Sequence, residues 1–192
     1  MRAPSLRSSV AVLSLAALAA CGGPILFAEL TMPSVEVTLP QHVFPGDPLG
    51  LSSSETVSFD VGANVPVVNE PNVDFDLRIT RMTLVLDTTG PLSNFDGFQT
   101  VKITALHPSG NAALDLVLLR YDKPAAASRI TRISATSETD ADLKPYLSAG
   151  VIDVRAEFTS DGVNPTLPPS DWTADLTADF WMRVKLDYGA YL

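Results

Sequence analysis

The sequence predicts an all-β protein, an antiparallel β-sandwich. Three observations lead there. Apolar and polar residues alternate with period two over long stretches, most clearly from Leu176 to Tyr188. Proline, glycine, asparagine and aspartate punctuate the chain between those stretches, the composition of tight turns rather than of helix-to-strand crossings. Only one segment carries paired start and stop signals for a helix.

Taken in chain order, Val35, Val37 and Leu39 form the first alternating strand, and a proline-rich loop, "LPQHVFPGDP", follows with His42 in it. Val57, Phe59 and Val61 mark a second strand. The third runs from Val73 to Leu86. Its apolar set Val73, Phe75, Leu77 and Ile79 changes phase to Met82, Leu84 and Leu86, so a β-bulge or a bend is required near Thr80 and Arg81 to keep both halves facing the core. "VKITAL" and "ALDLVLLR" read as a hairpin closed by "HPSGNA", with Pro108, Gly110 and Asn111 supplying the turn. The apolar run Leu116 to Leu119 marks its second strand as central and covered on both faces.

In "TDADLKPYLSAG", Asp142 as cap, Pro145 in the first turn and Gly150 at the end predict one short helix. Ile152, Val154, Ala156 and Phe158 then alternate with charged residues. The last and longest strand places Leu176, Ala178, Phe180, Met182, Val184, Leu186 and Tyr188 on one face. The elements together predict a sandwich of immunoglobulin-like character with one short connecting helix.

The amino terminus reads differently. Met1 to Ser9 is polar with Arg2 and Arg7, Val10 to Ala17 is apolar, and Leu18-Ala19-Ala20 leads into Cys21, the single cysteine of the chain. This layout is that of an export signal, too short to span a bilayer as a mature helix. A lone thiol in an exported chain has no disulfide partner, so its chemistry explains its presence. Leu18-Ala19-Ala20-Cys21 resembles the lipobox of bacterial lipoproteins. The resemblance implies that the Cys21 thiol takes a diacylglyceryl group, that residues 1–20 are removed, and that the new amino terminus is acylated with a fatty acid such as palmitate. Gly22 where an Asp would signal inner-membrane retention points to the outer membrane of a Gram-negative envelope. The segment "DLKPYLSAG" (Asp142 to Gly150) and the strand after it also resemble small envelope β-sandwich lipoproteins, a resemblance that brings no activity with it.

The expected division is a signal peptide over 1–20, an anchor and short tether over 21–33, and the sandwich over 34–192. Thirteen tether residues reach at most about 45 Å, and less if Ile25 to Leu30 pair as a strand, which holds the sandwich near the membrane. Removing residues 1–20 from 192 leaves 172, enough to bury a core without disulfides. Because the leader carries two arginines and no acid, the net charge of −9 becomes −11. Such an acidic surface argues against nucleic acid and anionic lipid surfaces as partners.

Chemistry is sparse. The two histidines, His42 and His107, belong to no HExxH pair, and zinc would lack its usual ligands. His107 and Ser109 sit in a turn without a nucleophile elbow, so a small envelope hydrolase is the weakest reading. No cofactor is called for, and calcium is the one candidate, with oxygen ligands in three loops: Asp96 in "SNFDGF", Glu138 and Asp140 in "SETDAD", and Asp161 in "TSDGVN". None matches an EF-hand, and Asp or Asn before Gly is also ordinary turn chemistry. Trp181 falls on the polar side of the last strand and Trp172 in the adjoining loop "LPPSDWTAD". The pair are candidate ligand-binding residues, for a glycan or a protein partner, unless that loop folds back over Trp181. The leading expectation is a lipid-anchored, non-catalytic β-sandwich that serves as a structural or protein-interaction module. The alternative is a carbohydrate- or calcium-binding module.

Overall fold

The computed structural model describes residues 27–70, 73–160 and 167–187. Among them lie nine strands: β1 (Phe27–Phe44), β2 (Ser52–Asp60), β3 (Asp74–Leu86), β4 (Thr100–Ala105), β5 (Leu116–Asp122), β6 (Arg132–Thr136), β7 (Leu147–Ser148), β8 (Val151–Thr159) and β9 (Trp172–Asp187). They form two antiparallel sheets, β1-β9-β3-β6 and β2-β8-β4-β5, with the short β7 pairing β8 beyond the end of β4. Cys21, Asp161, Tyr188 and Tyr191 lie outside the described residues.

The sandwich is as the alternation predicts, but its strand order is not that of an immunoglobulin domain. There, chain neighbours often share a sheet. Here β1 to β2, β2 to β3, β3 to β4, β5 to β6 and β8 to β9 all cross from one sheet to the other. Eight principal strands in this order make a jelly roll. Period-two patterning says that a strand has a buried face; it is silent on which sheet the strand joins.

β9 lies between β1 and β3 and keeps step with itself throughout. Every irregularity falls on its neighbours. Along β3 the register shifts between Ile79 and Arg81, so Thr80 is the extra residue, at the predicted place. Along β1 it shifts between Met32 and Val35 and again between Leu39 and His42. At the second shift Gln41 takes φ 52 and donates its backbone N–H to Asp175 Oδ1 at 2.8 Å. The "LPQHVF" stretch is therefore strand rather than loop. β1 also starts inside the stretch read as tether, since Phe27 to Met32 pair with Asp187 to Met182.

Two further expectations need correction. β5 is an edge strand, not a central one, and Val117 is exposed. Its apolar run arises from a bulge at Leu118, which turns both Leu118 and Leu119 into the core. The helix expected over "DLKPYL" is a single 3₁₀ turn, Lys144–Tyr146. Asp142 is drawn into tertiary structure instead, with Oδ1 accepting from Leu77 N at 2.9 Å and from Lys144 N at 3.1 Å. Ala149 and Gly150, at φ 49 and φ 80, make the two-residue turn joining β7 to β8. The remaining helical pieces are single turns: Val61–Asn64, capped by Asp60, then Pro66–Asn69 and Ala112–Leu114.

The core fills the gap between the sheets, and its largest member is Trp172, 1% exposed. Its ring stacks on Phe44 at 4.5 Å, with the planes 17° apart, and meets Phe95, Phe98 and Phe158 edge-on at 5.2–5.7 Å. These rings come from both sheets and from the β3–β4 loop, so one indole closes this end of the sandwich. We therefore expect Trp172→Ala to cost about 3–5 kcal/mol, as for other buried large-to-small changes. Trp181→Ala, on the opposite face, costs only about 1 kcal/mol. Urea denaturation of the two variants measures the contrast, and equal losses would refute the assignment of the two faces.

Candidate functional site

The outward residues of β9 and its neighbour β3 build a surface of charge pairs around one indole. Cross-strand neighbours carry opposite charge in successive rows. Lys185 faces Asp74, and Lys144 completes that row with Nζ 2.8 Å from Asp74 Oδ1. Arg183 faces Asp76 and donates to its Oδ2 from Nε at 2.8 Å and from Nη2 as well. Two rows along the strand, Arg81 Nε lies 2.7 Å from Oδ2 of the buried Asp179.

Between those rows Trp181 faces Arg78. The Arg78 guanidinium lies 5.2 Å from the indole centroid, and that of Arg183 lies 6.0 Å away. Both neighbours of β9 bulge at this level. Pro33 and Ser34 together face Trp181 from β1, and Thr80 is extra on β3 one pair away. Proline has no N–H for the ladder, which suits it to such a break. The Thr80 bulge is satisfied locally: its Oγ1 donates to Asp179 O at 3.0 Å, and its carbonyl accepts from Ser137 N at 2.9 Å. That second bond draws the segment after β6 alongside. The result is an open cleft of about 350 Å³ walled by Arg78, Trp181, Thr80, Thr136, Ser137 and Asp140.

Arg78 is the unusual member. Its Nε is shielded from solvent and has no hydrogen-bond partner. Leaving a buried donor unpaired costs about 1–3 kcal/mol, and more when the group is charged. Among the described residues two other buried polar side-chain atoms share this condition, His42 Nε2 and Thr104 Oγ1. His42 sits with its ring edge on Phe44, at 4.9 Å, and does not line the Trp181 cleft.

The structure separates the other sequence candidates. Trp172 is a core residue that opens β9, so it offers no face to a ligand. Extending the β9 alternation back from Leu176 through Ala174 puts it inside. Trp181 remains on the surface, bounded by arginines rather than by the loop before Trp172, whose Leu167 and Pro168 bond to the β1–β2 turn. Asp96 is not free to bind calcium: its carboxylate accepts from Arg129 N at 2.8 Å and Ile130 N at 3.0 Å. Burial opposes its ionisation, yet these backbone donors hold its pKa below the ordinary value. Glu138 and Asp140 follow β6 whereas Asp96 bonds ahead of it, so the proposed ligands lie at opposite ends of that strand. Among the described residues no three His, Cys, Asp or Glu side chains gather as a metal site would require.

His107 and Ser109 do meet, with Nδ1 and Oγ 2.8 Å apart. The contact closes the turn on itself, because Ser109 N also donates to Nδ1, at 3.2 Å. The nearby Asp115 accepts from the backbone N–H of His107 and not from its ring. That is not a base oriented by a third group. The sequence reading missed Arg78, the Thr80 bulge as a site-former and the Pro33–Ser34 gap. The phase slip at Thr80 was the one signal that pointed there.

No protein-family model matches the sequence, and no curated protein does. Among solved structures the chain is similar to one described as Desmodium yellow mottle tymovirus, 11% identical, with 88% of this chain and 91% of that one covered and a TM-score of 0.40. It is similar also to one of turnip yellow mosaic virus, 13% identical, with 88% and 86% covered and a TM-score of 0.39. Likeness at that level says nothing about function.

The charge rows have a pH signature. Hydrogen bonds from Arg183 hold Asp76 below its ordinary pKa, and the hydrogen bond from Lys144 does the same for Asp74. A carboxylate with a depressed native pKa contributes stability above its unfolded value of about 4, and loses it as pH falls through the native value. We expect Asp76→Asn to cost about 1 kcal/mol at neutral pH and to flatten the acid limb below pH ~4. Denaturation midpoints measured from pH 7 to pH 2 test this; an unchanged acid limb would refute it.

Proposed function

We propose that this chain is a lipid-anchored protein of a bacterial cell envelope whose jelly roll is a non-catalytic binding module held close to the membrane. The observation that carries the reading is the lipobox-like Leu18-Ala19-Ala20-Cys21, placed only six residues before β1 begins. Residues 21–26 reach at most about 20 Å when extended. The start of β1 is then the membrane-proximal end of the sandwich, and the Trp172 end is distal. Trp181 lies level with Pro33 and Ser34, about 20 Å along β1 at the usual rise per residue. That places the cleft on the flank of the domain, within reach of components at the membrane surface. Among the described residues no helix is long and apolar enough to cross a membrane.

The test is the mass of the amino-terminal peptide of the protein purified from cells. Expected is a chain that begins at Cys21 and carries the added mass of a diacylglyceryl group and an acyl chain. Cys21→Ala should abolish that modification. A mature terminus at another residue, or an unmodified Cys21 thiol, overturns the anchor.

A further inference from the structure

We propose that the cleft beside Trp181 is a binding site for an acidic saccharide, a sugar ring that carries a carboxylate. The first ground is charge. β3 and β9 carry four cations, and three of them, Arg81, Arg183 and Lys185, are paired with Asp179, Asp76 and Asp74. Arg78 has no such ion pair among the described residues, and its Nε has no acceptor. That Nε is shielded from solvent and out of a ligand's reach, so the donors a carboxylate takes in parallel are the two terminal Nη groups of Arg78, which lines the cleft. Asp140 lines the same cleft, so the site pairs one guanidinium with one carboxylate across it and is polarised rather than basic.

The second ground is shape. Trp181 forms one wall of the cleft with Arg78 and Arg183 against its ring, and the part of the indole they leave uncovered is a flat apolar surface of the kind that packs on the C–H face of a pyranose. The cleft volume is near the lower end of ligand pockets, which run from roughly 300 to 1,000 Å³. It suits one sugar unit, free or within a longer chain.

The third ground is the far wall. Asp140 has no hydrogen bond or ion pair among the described residues, and neither has the Thr136 hydroxyl. A carboxylate there repels any anionic group set against it but accepts from hydroxyls, so the ligand's carboxylate lies at Arg78 and its hydroxyls at Asp140, an arrangement that sulfate, with no proton to offer, cannot make. The one site thus attracts an anion that is also a polyol and discriminates against an anion that is not. The Thr80 bulge, which borders the cleft, opens the space that such a ligand needs.

This inference does not rest on the lipid anchor, and its test reads a different property. The full-length protein in detergent micelles has two indole N–H resonances, and Trp172 serves as the internal control for folding. Titration is with D-glucuronate and with a galacturonic acid trimer; glucose, maltotriose, sulfate and L-glutamate serve as comparisons. Expected is a saturable shift of the Trp181 indole with both uronates, while Trp172 stays in place. Neutral sugars and sulfate should bind at least tenfold more weakly. Arg78→Gln and Trp181→Ala should each weaken uronate binding tenfold or more. Arg78→Lys, which keeps the charge but not the fork, should weaken it severalfold and replaces Arg78→Gln if that change moves Trp172. No saturable shift at Trp181 overturns the site. Equal binding of maltotriose removes the role of the carboxylate. Equal binding of L-glutamate or sulfate makes it a general anion or amino-acid site, and also overturns the proposal.

Discussion

The parity of β9 is the constraint on which the rest of the molecule depends. Sixteen residues alternate without interruption between two neighbours, so each even-numbered side chain from Trp172 to Val184 points into the sandwich and each odd-numbered one points out. A slip of one residue would send Trp172, Phe180 and Met182 into water and bury Arg183 and Lys185. The cost of either half is enough to forbid it. Trp172 and Trp181 are nine positions apart, an odd number, and so cannot share a role: one indole closes the core, the other is left to the surface.

Because β9 cannot adjust, its neighbours do. β1 absorbs two extra residues and β3 one, and the bulges at Pro33–Ser34 and at Thr80 flank the Arg78–Trp181 pair. A bulge leaves backbone groups without ladder partners, and here they recruit new ones. Thr80 O takes Ser137 N, while Asp175 takes Gln41 N. The cleft is a by-product of that accounting: the segment held to Thr80 is the one that brings Thr136, Ser137 and Asp140 beside Trp181. Elsewhere on the same face, cations and carboxylates meet in register and neutralise each other. At the Trp181 row the strand opposite supplies Arg78 but no acid.

Much of this was legible in the sequence, and the limits have physical causes. Alternation located β3, β8 and β9 and placed the irregularity of β3 at Thr80, because burial imposes period two directly on residue choice. The same rule, applied backwards from Leu176, would have put Trp172 inside. The turn-like "LPPSDW" masked it, since turn propensity and strand pairing compete and the aromatic cluster wins. β5 was misplaced because a continuous apolar run arises either from two covered faces or from a bulge that turns adjacent residues the same way, and Leu118–Leu119 is the second case. The "DLKPYL" segment carries sound capping chemistry, but Asp142 spends its carboxylate on β3 and the chain leaves the helix after one turn. Sheet order, and with it the meeting of Arg78 with the segment after β6, depends on contacts between residues about sixty apart, which no local pattern records.

The position of the cleft bears on how strong its binding must be. An isolated surface site with one guanidinium, one indole and a few hydroxyls lacks the enclosed apolar area of tight pockets, and weak affinity for a single sugar unit is the natural expectation. Tethering changes the comparison. A module held within a few tens of ångströms of a polymer-bearing surface meets its ligand at an effective concentration in the millimolar range, set by the tether and not by the bulk solution. On the proposed anchoring, a short tether would also keep the cleft near one layer of the envelope instead of letting it sample many. Modest affinity in a fixed place is therefore sufficient. The proposed anchor at Cys21 and the proposed site at Trp181 are thus compatible, since location would supply what an open site does not.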